Sequence, residues 1–98
     1  MSGLTDAFRA LHRSGTFVMP NPWDVGSARY LEWRGFPALA TTSAGFAATL
    51  GRLDQTVTRD ELLAHVESLT AAISVPLNVD SERLYASDTA GVARTVEL

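Results

Sequence analysis

Cysteine is absent from this 98-residue sequence. That removes disulfides, thiolate metal sites and thiol nucleophiles, and it fits a reducing compartment. Runs of Arg or Lys are also missing and the net charge is −3, so nothing suggests electrostatic binding of nucleic acid or of an anionic membrane. No apolar run approaches the roughly 18 residues of a membrane span, and no basic segment followed by an apolar core opens the chain. A soluble, cytoplasmic protein is expected, with neither nucleic acid nor membrane as partner. Nucleotide signatures are lacking too: there is no G-x-G-x-x-G, and Gly45 to Gly51 does not have phosphate-loop spacing. Ser27 and Ser43 have no His close by in sequence, which gives no support to a hydrolase triad. What is present is an ordinary globular composition, 46% apolar and 19% charged.

The apolar residues are patterned. Leu4, Phe8 and Leu11 form one helical stripe, with Gly15 placed as its C′ residue. Thr16-Phe17-Val18-Met19 is a short β-prone run that Pro20-Asn21-Pro22 stops. Asp24 can cap a helix from Val25 to Arg34, ended by Gly35. Pro37-Ala38-Leu39-Ala40-Thr41-Thr42 reads as a second strand entering a Ser43-Ala44-Gly45 turn, and a longer loop carries Gly51 and Asp54. Thr58 and Glu61 have capping-box spacing, followed by Leu62, Val66, Leu69 and Ile73 at helical periodicity. Pro76 opens a third strand. Asp88 or Thr89 can cap a final helix holding Val92, Val96 and Leu98.

Short strands alternating with helices predict βαβ crossovers and a parallel sheet. Along Val75-Pro76-Leu77-Asn78-Val79-Asp80-Ser81-Glu82, strand alternation puts Asn78, Asp80 and Glu82 on one face and Leu77, Val79 and Ser81 on the other. Carboxylates at the C-terminal end of a strand occupy the place where α/β barrels carry their chemistry. The expected fold is therefore α/β, a partial (β/α)8 barrel made of a leading helix and the first three β/α units. A whole barrel takes about 250 residues, so residues 1–98 would be a single domain forming its N-terminal portion.

Three segments in the right order, each at an expected strand end, carry a family resemblance. They are Phe17-Val18-Met19-Pro20-Asn21-Pro22-Trp23-Asp24-Val25-Gly26-Ser27-Ala28, Gly35-Phe36-Pro37-Ala38-Leu39-Ala40-Thr41-Thr42-Ser43-Ala44-Gly45, and the Val75–Glu82 stretch. The chain resembles the isocitrate lyase / phosphoenolpyruvate mutase superfamily from Phe8 to Val96. The resemblance implies a Mg²⁺-dependent enzyme that forms or cleaves a C–C or P–C bond beside a 2-oxo-acid carboxylate, through an enolate. It also implies that Thr41, Thr42 and Ser43 hold the substrate carboxylate and that Asp54 assists near metal and substrate. Asp80 would be the main metal-side acid and Glu82 the second. The family usually continues with a turn of the form x-G-Y-G, whereas Arg83-Leu84-Tyr85-Ala86 keeps only the tyrosine. By the same resemblance a further acidic metal residue and a mobile catalytic loop would lie beyond Leu98, so the 98-residue chain is expected to be inactive alone.

The residue chemistry agrees with a hard cation: Mg²⁺ prefers carboxylate oxygens and water and commonly takes one or two protein carboxylates. Taken alone, Asp80 and Glu82 also fit a solvated pair or a partner for Arg83, Asp54 a loop cap, and Thr41 to Gly45 a plain turn. Asp24 reads as an N-cap, His12 and His65 as packed or surface histidines, and Trp23 and Trp33 as core or interface aromatics. The expected activity is a Mg²⁺-dependent carbon–carbon lyase, or a P–C mutase, acting on small 2-oxo or hydroxy carboxylates. The alternatives are a metal-dependent pyruvate aldolase on a similar barrel and a non-catalytic, self-associating module. An open parallel-sheet edge also makes a homo-oligomer an expectation.

Overall fold

Five helices and two very short strands follow one another in the computed structural model, which describes residues 2–98. In order they are α1 (Ser2–Leu11), α2 (Val25–Trp33), β1 (Leu39–Ala40), α3 (Ser43–Thr49), α4 (Arg59–Ala72), β2 (Leu77–Asn78) and α5 (Thr89–Val96).

The helix ends are built by local side chains. Asp24 caps α2: its carboxylate accepts from the Ser27 amide at 2.8 Å, and the Ser27 hydroxyl accepts from the Asp24 amide at 3.1 Å. At the other end Gly35, with φ +97°, sends its amide to the Glu32 carbonyl, and the Phe36 amide reaches the Leu31 carbonyl. Those two bonds form a Schellman closure that an L-residue would strain. The α4 cap is the expected box of Thr58 and Glu61. Arg52 adds an ion pair to Glu61 at 2.6 Å, and this partner together with the Thr58 amide holds the Glu61 carboxyl down at about 2. Asp88 caps α5 by accepting from the Gly91 amide at 2.7 Å. In α1 the expected terminator is displaced: the helix ends at Leu11, and Gly15, at φ +68°, lies in the turn beyond it. His12 packs in that turn, edge-on between Phe8 and Phe17.

β1 and β2 pair in parallel, Leu39 opposite Leu77 and Ala40 opposite Asn78. Residues 37–42 and 75–82 thus contribute only two strand residues each. The expected strand at Thr16–Met19 does not form. Pro20 and Pro22 have no amide to give a ladder. The segment instead borders β1 through one backbone bond, Ala40 amide to Pro20 carbonyl at 3.0 Å, and through the Asn21 side-chain amide, which donates to the Ala40 carbonyl at 2.7 Å. The expected Ser43-Ala44-Gly45 turn is the first turn of α3, capped by the Thr42 hydroxyl. Strand alternation also ends before Glu82, whose φ is +53°.

Ala28 of α2, Leu39 of β1 and Leu69 of α4 form the buried centre, with Val25, Leu31, Phe36, Ile73, Val75 and Leu77 packed around it. The core therefore lies between the α2/α4 pair and one face of the sheet. Thr41 and Asp80, which follow the two strands, are brought side by side at the sheet's C-terminal end. Among the described residues no helix is long and apolar enough to cross a membrane.

Candidate functional site

Parallel pairing of β1 with β2 has a direct consequence for the residues that follow the strands. The Thr41 amide donates to the Asn78 carbonyl at 2.8 Å, and the Asp80 amide donates to the Thr41 hydroxyl oxygen at 2.7 Å. Thr41 is buried, so its side chain clamps the two strand ends together. Thr42 turns its hydroxyl onto the Gly45 amide at 3.2 Å to start α3. Ser43, the first residue of α3, points its amide at Asp80 Oδ2 at 3.3 Å.

Asp80 is the centre of the arrangement. Its Oδ1 accepts from the Glu82 amide at 3.0 Å, a bond to the backbone two residues on that bends the chain away from the strand. That bond, and after it the Ser43 amide and hydroxyl, lower the Asp80 carboxyl below its ordinary range against the opposing effect of partial burial. Asp80 is an ionised carboxylate at neutral pH.

Glu82 reaches the same region by a different route from the expected one. It is carried by a loop with left-handed backbone at Glu82, Leu84 and Tyr85, at φ +53°, +61° and +55°. The loop is tied down by the Leu84 amide on the Ser81 carbonyl and by the Thr95 hydroxyl of α5 on the Leu84 carbonyl. Within it the Tyr85 hydroxyl donates to Glu82 Oε2 at 3.0 Å. Burial first, then the bond to Glu82 and the charges of Glu82, Asp80 and Asp54, push the Tyr85 phenol well above its ordinary range. Asp54 is thus near enough for its charge to be felt at the phenol, although among the described residues it makes no hydrogen bond to the others.

The structure therefore brings Thr41, Ser43 and Asp80 together, joins Glu82 to Asp80 through its backbone amide, leaves Thr42 as a helix cap, and leaves Asp54 exposed. Tyr85 is the member that sequence reasoning passed over. The signal available was its place three residues after Glu82, but only the left-handed loop turns it back onto that acid. Among the described residues no group of three or more His, Cys, Asp or Glu side chains is gathered to hold a metal. Asp80 and Glu82 carry hard oxygen donors, the ligand type that Mg²⁺ and similar cations prefer.

The model of the family described as phosphoenolpyruvate phosphomutase matches residues 8–98. The chain belongs to this family. An uncharacterized protein of Mycobacterium tuberculosis is 36% identical over 89 residues, which are 89% of this chain and 34% of that protein. The chain thus spans about a third of the length of the curated relatives it matches. A candidate lyase/mutase of Burkholderia cenocepacia has a solved structure that superposes with a TM-score of 0.93 at 45% identity, covering 96% of this chain and 34% of that one. The structure of 2,3-dimethylmalate lyase, a member of the phosphoenolpyruvate mutase/isocitrate lyase superfamily, superposes at 0.80 with 31% identity over 98% of this chain and 34% of its own. Phosphoenolpyruvate phosphomutase family membership goes with a fold rich in helix around a small parallel sheet.

Proposed function

We propose that residues 1–98 are a single domain, the N-terminal portion of a (β/α)8 enzyme of the phosphoenolpyruvate mutase/isocitrate lyase superfamily. The parallel β1–β2 pair, the helices between its strands, and the Pro20 carbonyl that accepts from the Ala40 amide on the far side of β1 support the reading of β/α units after a leading helix. The intact enzyme is a carbon–carbon lyase, or a P–C mutase, acting on a small 2-oxo or hydroxy carboxylate. Likeness to 2,3-dimethylmalate lyase supports the lyase reading, and likeness to a candidate phosphonomutase of Burkholderia cenocepacia the mutase reading. Asp80 and Glu82 hold Mg²⁺, and Thr41 to Ser43 face the substrate carboxylate, with Asp54 assisting. Bound Mg²⁺ would polarise the substrate's carbonyl as a Lewis acid. Asp80 keeps its charge through the Glu82 and Ser43 amides and orients toward the start of α3. Thr41 fixes the Asp80 backbone, and Ser43 is the member of the Thr41–Ser43 stretch whose donors already face a carboxylate.

The observation that carries this reading is the Asp80 carboxylate, just beyond the end of β2, accepting from the Ser43 amide at the start of α3 and from the Glu82 amide in the following loop. Titrating the chain with Mn²⁺, followed by water-proton relaxation, tests it: the unchanged chain binds, Mg²⁺ competes, and Asp80→Ala abolishes binding. Binding that survives Asp80→Ala would refute the assignment. The 98-residue chain alone is expected to give no turnover. A second reading, a self-associating module, is favoured by the outer edge of β2, beside which no strand lies among the described residues, and by exposed Trp33 and Leu53.

A further inference from the structure

We infer that Tyr85 is a positioning residue for Glu82, holding the second acid of the site so that one carboxylate oxygen is committed to the protein and the other is left for a cation. The inference rests on the cation reading above and adds a residue to it. Its basis is geometric. The Tyr85 hydroxyl lies 3.0 Å from Glu82 Oε2, and among the described residues Oε1 accepts no hydrogen bond. A carboxylate on a flexible side chain loses rotamer freedom when it binds an ion, and a donor that has already selected the rotamer removes part of that cost.

The backbone is arranged to make this contact. Glu82 and Tyr85 are both left-handed, at φ +53° and +55°, a conformation that L-residues adopt only at a cost. The surrounding contacts hold the loop in it: Asp80 Oδ1 on the Glu82 amide, the Thr95 hydroxyl on the Leu84 carbonyl, and Gly91 of α5 so close to Ala86 that an added Cβ would lie 2.7 Å from the Ala86 methyl. An aromatic that only filled space would not need its hydroxyl on the acid.

The test is cation binding, read separately from folding. Tyr85→Phe keeps the ring and removes the donor. It is expected to weaken Mn²⁺ binding about 10-fold, the usual order for losing a group that orients a metal ligand, with an unchanged circular dichroism spectrum. In a Glu82→Gln background the same substitution should have no further effect. A measurement on the unsubstituted chain guards against misfolding of the variants. With ring-labelled tyrosine, Mg²⁺ should shift the resonances of Tyr85 and leave those of Tyr30, on α2, in place. If Asp80→Ala abolishes binding while Tyr85→Phe binds like the parent, or if the Tyr85 resonances stay fixed under saturating Mg²⁺, the positioning role is wrong and the cation reading stands. If the parent chain binds neither ion, both fall.

Discussion

Leu84 stands where the family's turn usually has a glycine, and it has the backbone of one, at φ +61°. The left-handed region costs an L-residue about 1–2 kcal/mol, while a glycine there gives up about 0.4–1 kcal/mol through the unfolded chain. Comparing Leu84→Gly with Leu84→Ala cancels the lost side chain, and the glycine variant is expected to be the more stable by about 1 kcal/mol. Urea midpoints of the two variants decide it, and a more stable alanine variant would mean that the loop is not left-handed there. His65 is a second residue with a defined cost. It is buried on α4, stacked on Phe46 at 3.8 Å between ring centroids, and its Nε2 has no hydrogen-bond partner among the described residues. Desolvation lowers its pKa below 6.5, and the nearby Asp24 charge opposes that only in part. The unfolded chain therefore takes up a proton that the folded chain resists. Stability is complete above the unfolded pKa and declines as pH falls through about 6.5 and below. His65→Phe should flatten that limb of a thermal melt series between pH 7 and pH 5, and a parent chain whose midpoint is level across the same range would count against the buried neutral imidazole.

At the scale of an element, α3 is the piece whose position matters most to the site, because its first amide meets Asp80. Only seven residues long, it has little stability of its own. It is held by Thr42 at its start, by the Phe46–His65 stack, and by Trp23 lying against Gly45. An alanine Cβ at position 45 would lie 2.5 Å from both Trp23 Nε1 and Thr42 Cγ2. In an exposed helix, glycine to alanine stabilises by about 1 kcal/mol. Here the overlap should reverse the sign, with Gly45→Ala destabilising by about 1–3 kcal/mol. Thermal denaturation reads the result, and a raised midpoint would show that Trp23 does not pack there. The missing strand at Thr16–Met19 belongs to this scale as well: its β-prone residues are real, but the prolines that follow cannot donate to a ladder, so Asn21 makes the contact instead.

For the whole molecule, the radius of gyration is 14.0 Å, above the roughly 13 Å of a closed 100-residue domain. Among the described residues the two-stranded sheet has no further strand on either side. An apolar hollow of about 260 Å³ opens between α1 and the sheet, lined by Leu4, Phe8, Ile73, Val75 and Leu77. Trp33 and Leu53 are 76% and 81% exposed. Parallel strands are stable when both faces are covered and edges are paired, whereas here one face opens into the hollow and the outer edge of β2 has no partner strand among the described residues. The 98-residue chain is expected to self-associate, with a mass by light scattering that rises with concentration. A monomer at all concentrations would remove the self-associating reading.

The helix starts and stops were legible from the amino acids themselves. Asp24 with Ser27, Thr58 with Glu61, Asp88 with Gly91 and the closure at Gly35 are local bonds between neighbours, set by spacing and side-chain chemistry. So were the helical stripes, whereas the alternation expected through Glu82 stops early, because β2 ends at Asn78 and Glu82 is left-handed. Family membership was legible because its motifs are also short and ordered along the chain. Tertiary structure alone decided the rest. The clamp from Thr41 to Asp80 and the bond from Ser43 to Asp80 join residues 39 and 37 positions apart, which no local rule relates until β1 and β2 pair. The return of Tyr85 onto Glu82 depends on left-handed residues that are not glycine, a conformation sequence propensity argues against and only the contacts of α5 and Asp80 sustain.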